Sequence, residues 1–261
     1  MTEVLRFARA SLRRESTVIL DGIDWVVRAG ERWVILGPNG AGKTSLLSLA
    51  AARSHPTEGS VSILGEALDQ ASVRELRVRV GLSSDAVATR IAGHELVRDV
   101  VLTAAHGITA RYREVYDEVD LERAGDLLAA FGIRDLANRE FSTLSEGERK
   151  RVQLARSLMA DPEILLLDEP AAGLDLAGRE ELLQALKHLA ADPLSPVLIL
   201  VTHHVEEIPE GFTHALIVSA GKVVASGPLD ATVTAKNLTS AYGIPVALDH
   251  RDGRWAARKG A

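Results

Sequence analysis

Gly37-Pro38-Asn39-Gly40-Ala41-Gly42-Lys43-Thr44 is the stretch on which the reading of this chain turns. It fits the pattern G-x-x-x-x-G-K-[ST], and it lies between a short apolar run, Trp33-Val34-Ile35-Leu36, and a stretch of helical period over 43–52 that continues through Ser45. Glycines at these places let the backbone turn several N–H groups toward one anion, and the N-terminus of the following helix adds its partial positive charge. Lys43 supplies a full charge for phosphate, and the Thr44 hydroxyl is an oxygen ligand suited to Mg²⁺. An ordinary glycine turn with a surface lysine would require neither the strand before it nor the helix after it.

A second run, Ile164-Leu165-Leu166-Leu167-Asp168-Glu169-Pro170, delivers two acids at the end of a buried strand. Side chains alternate along an extended chain, so Asp168 can serve a metal while Glu169 addresses the attacking water. By itself an acidic strand end is commonly a solvated loop; beside a phosphate loop it reads as hydrolytic machinery.

Short apolar runs alternate with helical stretches, which predicts an α/β fold: a phosphate-loop core with a mainly parallel sheet, strand ends carrying the site. The expected core strands are 33–36, 61–64, 164–167 and 197–201. Residues 4–28 alternate around a turn at Asp21-Gly22 and predict an N-terminal antiparallel β subdomain. Over 93–141 apolar residues recur at helical spacing (Leu96, Val97, Val100, Val101, then Leu121, Ala124, Leu127, Leu128, Phe131), which predicts an inserted helical subdomain. The expected organisation is one domain over 1–261, with 4–92 and 142–226 as the core, 227–261 as a C-terminal extension, and a hairpin joined through Ala220-Gly221.

Leu144-Ser145-Glu146-Gly147-Glu148 precedes a helix of mixed apolar and basic residues, Ala172-Gly173-Leu174-Asp175 follows the paired acids, and Thr202-His203 ends the next apolar run. As a bare N-cap, Ser145 with Glu148 three positions on is also a capping box. The whole set, however, resembles the L-S-G-G-Q signature, D-loop and H-loop of ABC ATPases, over about 4–226. The resemblance implies an ATP-binding and ATP-hydrolysing transporter subunit with ATP and Mg²⁺ as cofactors. On it, Gly37, Pro38, Asn39, Gly40, Ala41, Gly42, Lys43, Thr44 and Ser45 cradle the nucleotide, Thr44 and Asp168 hold the metal, and Glu169 and His203 act with Lys43 in catalysis. Ser145, Gly147 and Asp175 then complete the site of a second subunit in a head-to-tail pair, a homodimer or a pair with a related ATPase. A polytopic transmembrane subunit on another chain is the implied transport partner.

The pattern departs from the family in places. The signature carries Glu146 and Glu148 where glycine and glutamine are usual. Val80-Gly81-Leu82-Ser83-Ser84-Asp85 stands where a glutamine loop is usual, so Asp85 is either plain loop or a carboxylate that reaches the metal. The adenine-stacking aromatic usual in the family is missing from its expected position upstream; Arg13 or Arg14 is nearest that place, and a guanidinium plane can stack on a base. The segment from Val80 and the stretch Thr202-His203-His204-Val205-Glu206-Glu207 are similar to molybdate-transport or photorepair-like ATPases.

Composition narrows the setting. The 261 residues are 46% hydrophobic, and 30 basic against 36 acidic groups give a formal charge of −6, with no global basic footprint for nucleic acid. The chain has no cysteine, and its longest apolar runs fall far below the roughly 18 residues of a membrane span, so the expected location is the cytoplasm, peripheral on the inner membrane face through a partner. The competing expectation is a soluble single-cassette ABC ATPase in regulation, repair or translation. A long coiled coil of the repair type has no room in the hundred or so residues between Gly42 and Leu144, and only one set of motifs is present. A nucleotide binder without turnover would not need Lys43, Asp168, Glu169 and His203 together.

Overall fold

The computed structural model describes residues 2–111 and 113–260. The chain opens with strands β1 (Glu3–Arg14), β2 (Thr17–Arg28) and β3 (Arg32–Leu36), then helix α1 (Lys43–Ala50), β4 (Glu58–Ile63) and β5 (Glu66–Ala67). There follow α2 (Val73–Arg79), β6 (Val80–Ser83), α3 (Asp85–Ala88), α4 (Val97–Leu102), α5 (Glu118–Ala130) and α6 (Glu146–Leu158). The second half carries β7 (Ile164–Asp168), α7 (Leu176–Ala191), β8 (Val197–Val201), β9 (His214–Ser219) and β10 (Lys222–Pro228). It closes with α8 (Leu229–Thr232), α9 (Ala235–Tyr242) and the hairpin β11 (Val246–Arg251) and β12 (Arg254–Lys259).

A six-stranded sheet of order β10-β9-β3-β8-β7-β6 forms the centre, parallel except for β10. Its strands read as unbroken apolar runs because both faces are covered. Trp33, Ile35, Leu166, Ile199 and Leu216 point to the side covered by α1 and the N-terminal sheet. Val34, Leu36, Leu165, Leu198 and Ile217 point to the side covered by α5, α6, α7 and α9. Strand alternation thus divides one sequence run between two cores.

Two expectations about the N-terminal region are corrected. The β1–β2 turn falls at residues 15–16, and Asp21-Gly22 lies inside β2. There the ladder steps from Ala10↔Ile23 to Leu12↔Leu20, so β2 carries an extra residue, a β-bulge, with Gly22 N–H donating to Ser11 Oγ at 2.9 Å. The strand expected at 61–64 pairs antiparallel with β1 in the smaller sheet β2-β1-β4-β5 and is not in the central one. The central sheet instead gains β9 and β6, the latter within the segment expected as a loop. A four-residue edge strand with Gly81 is too short to show a period, and its identity comes from pairing with β7.

Residues 93–141 form α4, α5 and short 3₁₀ turns whose apolar residues join the α6–α7 side of the core. The 227–261 stretch, expected only as an extension, holds α8, α9 and the β11–β12 hairpin, with Leu238, Ala241 and Trp255 buried in that same core. Among the described residues no helix is long and apolar enough to cross a membrane.

Candidate active site

The parallel registers bring every strand end that matters to one edge of the sheet. Ile35 lies opposite Val201, Val201 opposite Asp168, and Leu167 opposite Ser83. The loop after β3, the acids after β7, the Thr202-His203 turn after β8 and Asp85 after β6 therefore share one end, as open α/β sheets dictate.

The phosphate loop is held where only glycine fits. Gly42 has φ +100°, and a Cβ there would come within 2.9 Å of Ile19 O; at Gly37 a Cβ would come within 2.0 Å of Val218 O. Lys43, 5% exposed, donates from Nζ to Gly37 O at 2.8 Å and Pro38 O at 3.1 Å, and lies 3.7 Å from Glu169 Oε1. Burial pulls the Lys43 ammonium below its ordinary pKa, while the nearby Glu169 works the other way.

Asp168 shares the α1 side of the sheet with Leu166, two residues before it, and there its Oδ1 accepts from Thr44 Oγ1 at 3.3 Å. Burial raises the Asp168 carboxyl above its usual range, and the Thr44 hydrogen bond opposes that shift. A neighbouring hydroxyl and carboxylate, both hard oxygen donors with room for water, fit Mg²⁺. Glu169 stands at φ +48°, a left-handed conformation costly for a side chain with Cβ, and its N–H donates to Val201 O at 3.0 Å. That turn swings its carboxylate out of the strand's alternation, toward Lys43 and toward His203, whose Nδ1 lies 3.3 Å from Glu169 Oε1 but off hydrogen-bond alignment. One cleft is lined by Ile19, Asn39, Gly40, Gly42, Lys43, Thr44, Ser45, Asp85, Asp168 and Glu169, with a volume of about 540 Å³.

Ser145, Gly147 and Asp175 do not line that cleft. They form a second group: Ser145 is the N-cap of α6 and Asp175 the N-cap of α7. A Cβ at Gly173 would meet Glu146 Cγ at 3.7 Å, and one at Gly147 would meet Leu174 Cδ2 at 3.9 Å, so the two turns are packed together. The capping box is complete: Ser145 Oγ accepts from Glu148 N–H at 3.3 Å, and Glu148 Oε2 accepts from Ser145 N–H at 2.7 Å. Those bonds hold the Glu148 carboxyl below its usual range, the Ser145 backbone first and its hydroxyl second. Asp175 Oδ1 accepts from Gly178 N–H at 2.8 Å.

The Asp85 carboxylate lines the cleft and is also engaged by Lys150 Nζ at 2.6 Å. Lys150 is 3% exposed on α6, and Asp85 is 73% exposed at the start of α3, so the acid neutralises a buried ammonium from the helix that carries the signature. Lys150 escaped the sequence reading because it is one of several basic residues in a row. Arg13 and Arg14 end β1 as exposed residues, with Arg13 3.6 Å from Glu58; Ile19 is the residue of the N-terminal sheet that lines the cleft. Tyr242, from the last turn of α9, donates to the carbonyl of His203 at 2.9 Å, a contact no sequence signal announces across 39 positions.

Residues 6–172 match the family described as "ABC transporter". The chain is 36% identical to the uncharacterized ABC transporter ATP-binding protein YlmA of Bacillus subtilis over 93% of this chain and 92% of that one. It is 33% identical to the hemin import ATP-binding protein HmuV of Thermobifida fusca over 95% of this chain and 84% of that one. In fold it is similar to the dimeric post-hydrolysis state of an ATP-binding cassette bound to ADP and Pi, with a TM-score of 0.74 at 23% identity, over 87% of this chain and 99% of that one.

Proposed function

The chain belongs to the ABC transporter family as an ATP-binding and ATP-hydrolysing subunit, and from that premise we propose that it works as a head-to-tail pair around two Mg-ATP and drives a transmembrane subunit on another chain. The observation that carries the proposal is the separation of the site residues into two groups. Lys43, Thr44, Asp168, Glu169 and His203 gather at the sheet edge, while Ser145, Gly147 and Asp175 form an exposed helix-end surface elsewhere on the chain. A phosphate-binding end with no phosphate loop in front of it is useful when a second subunit supplies the loop. The similarity to a dimeric cassette agrees with this arrangement.

In the proposed reaction the loop N–H groups and Lys43 hold the β- and γ-phosphates, an arrangement worth most in a cleft from which water is displaced. Mg²⁺ held by Thr44 and Asp168 would neutralise charge on the phosphate oxygens. Glu169 orients the attacking water and accepts its proton; the strained backbone there aims the carboxylate. His203, across from Glu169, hydrogen-bonds the γ-phosphate and keeps that acid in place. Lys43 Nζ lies 3.7 Å from Glu169 Oε1, so the phosphate-holding ammonium and the water-orienting carboxylate are side by side.

The import of hemin belongs to the relative so named, and no cargo is assigned to this chain. The finer likeness to molybdate-transport or photorepair-like ATPases receives no support from the comparisons. Glu169→Gln tests the proposal. ATP binding should persist, hydrolysis should fall about 10²- to 10⁴-fold, and the ATP-bound variant should accumulate as a dimer by light scattering. Undiminished hydrolysis would remove Glu169 from the base role, and a monomer holding ATP would refute the paired site. Co-purification of the tagged chain with a polytopic membrane protein separates a transport role from a free-standing ATPase.

A further inference from the structure

The turn that carries His203 is fastened on both flanks by bonds that leave its own carbonyl to the C-terminal region. Ahead of it, Thr202 is fully buried, its N–H donates to Ile35 O at 3.1 Å, and its hydroxyl donates to the Glu207 carboxylate and accepts from His204 N–H. Behind it, Glu206 Oε1 accepts from Ala257 N–H at 2.8 Å, and Arg254 forms a two-pronged ion pair with Glu180 at 2.7 and 2.8 Å. The His203 carbonyl accepts from the Tyr242 hydroxyl at 2.9 Å. Beside the two histidine rings lies a cavity of about 260 Å³ bordered by Leu238, Tyr242 and Val246, so side-chain packing on that side leaves the turn room to move.

Tyr242 is itself held firmly. It ends α9, where Gly243 in the left-handed conformation closes the helix, Ser219 Oγ donates to Ala241 O at 2.8 Å, and Leu238 and Ala241 are buried. Burial pushes the Tyr242 hydroxyl up to about 12, so the group keeps its proton and remains a donor at neutral pH.

We infer that Tyr242 is a positioning residue for ATP hydrolysis: its hydroxyl ties the His203 peptide to the end of α9 and so sets where the imidazole meets Glu169. The inference rests on the proposed role of His203. Without the tie only the His204 N–H bond to Thr202 holds the 203–204 peptide, which can shift toward the adjoining cavity and move the ring relative to Glu169, 3.3 Å away. A small misplacement of a catalytic group costs turnover without costing the binding of nucleotide, which the loop and Lys43 perform.

Tyr242→Phe removes the hydroxyl and keeps the ring. Steady-state ATPase measurements on the full chain should show kcat lower by about tenfold with KM for ATP within about twofold of wild type and a melting temperature lowered by no more than about 2–3 °C, the worth of one hydrogen bond. His203→Ala should lower kcat further, and adding Tyr242→Phe to it should change nothing more, the non-additivity of two residues acting as one unit. Wild-type kcat in Tyr242→Phe while His203→Ala is impaired would overturn the inference alone; wild-type kcat in His203→Ala would overturn the role of His203 and the inference with it. A loss in Tyr242→Phe that comes with a severalfold rise in KM and a melting temperature lowered by more than about 5 °C would make Tyr242 a packing residue and overturn the inference as well.

Discussion

Ser145→Ala separates the two things this serine can do. As the N-cap of α6 it closes a capping box with Glu148, and losing such a cap costs about 1 kcal/mol, which in a domain of this size lowers the melting temperature by about 2–3 °C. The pH dependence has a definite sign. Glu148 has a lowered carboxyl pKa in the folded state, so its contribution is complete above its ordinary value of 4.5 and fades as the pH falls through the lower folded value. The stability gap between wild type and variant should therefore be widest near neutrality and narrow below about pH 4.5, as thermal melts across pH would show. A domain stable by about 5–15 kcal/mol remains folded after losing 1 kcal/mol, so a cap alone leaves ATPase activity untouched. If Ser145 also meets the γ-phosphate of the partner's ATP, the variant loses a hydrogen bond to a charged group, about 1.5–3 kcal/mol, or roughly 10- to 150-fold in activity and in ATP-dependent dimerisation. A lowered melting temperature with normal ATPase and normal dimerisation would refute the signature assignment, and an unshifted melt would refute the cap.

Lys43→Ala should weaken ATP binding by about 10- to 150-fold, the worth of a charge-assisted hydrogen bond, and abolish turnover; unchanged affinity by calorimetry would sink the phosphate-loop assignment. Asp85→Ala leaves Lys150 nearly buried without its carboxylate, and after discounting for the exposed acid the melting temperature should fall by the equivalent of about 1 kcal/mol. The Mg²⁺ concentration for half-maximal ATPase should stay as in wild type; a severalfold rise with an unshifted melt would put the Asp85 carboxylate at the ion instead.

Much of the fold was legible because its determinants are local. The apolar runs at 164–167 and 197–201 are buried on both faces and bounded by polar residues, and the glycine loop sits between strand and helix, so each could be read from neighbours a few positions apart. The strand at 58–63 was legible as a strand but not as a member of the smaller sheet, because partner choice depends on β1, some fifty residues earlier. Turn chemistry misled at Asp21-Gly22, where the same dipeptide that favours a hairpin turn also favours a bulge, and the pairing with Ser11 chose the bulge.

The sequence by itself determined the residue types of the site: a phosphate loop with Lys43 and Thr44, acids at a strand end, a serine and glycine before a helix, and a histidine after the next strand. Spacing along the chain carries that information because each motif is one contiguous turn whose backbone geometry requires those residues. Only the tertiary structure decided how the motifs are grouped. Parallel register brings Asp168, His203 and Asp85 to the phosphate loop, while α6 carries Ser145 to a separate surface beside Asp175. It alone decided that Asp85 meets Lys150 and that Tyr242 meets His203. Those contacts join residues 65 and 39 positions apart through single hydrogen bonds, and a single long-range hydrogen bond leaves no periodicity, composition or motif in the sequence from which it could be read.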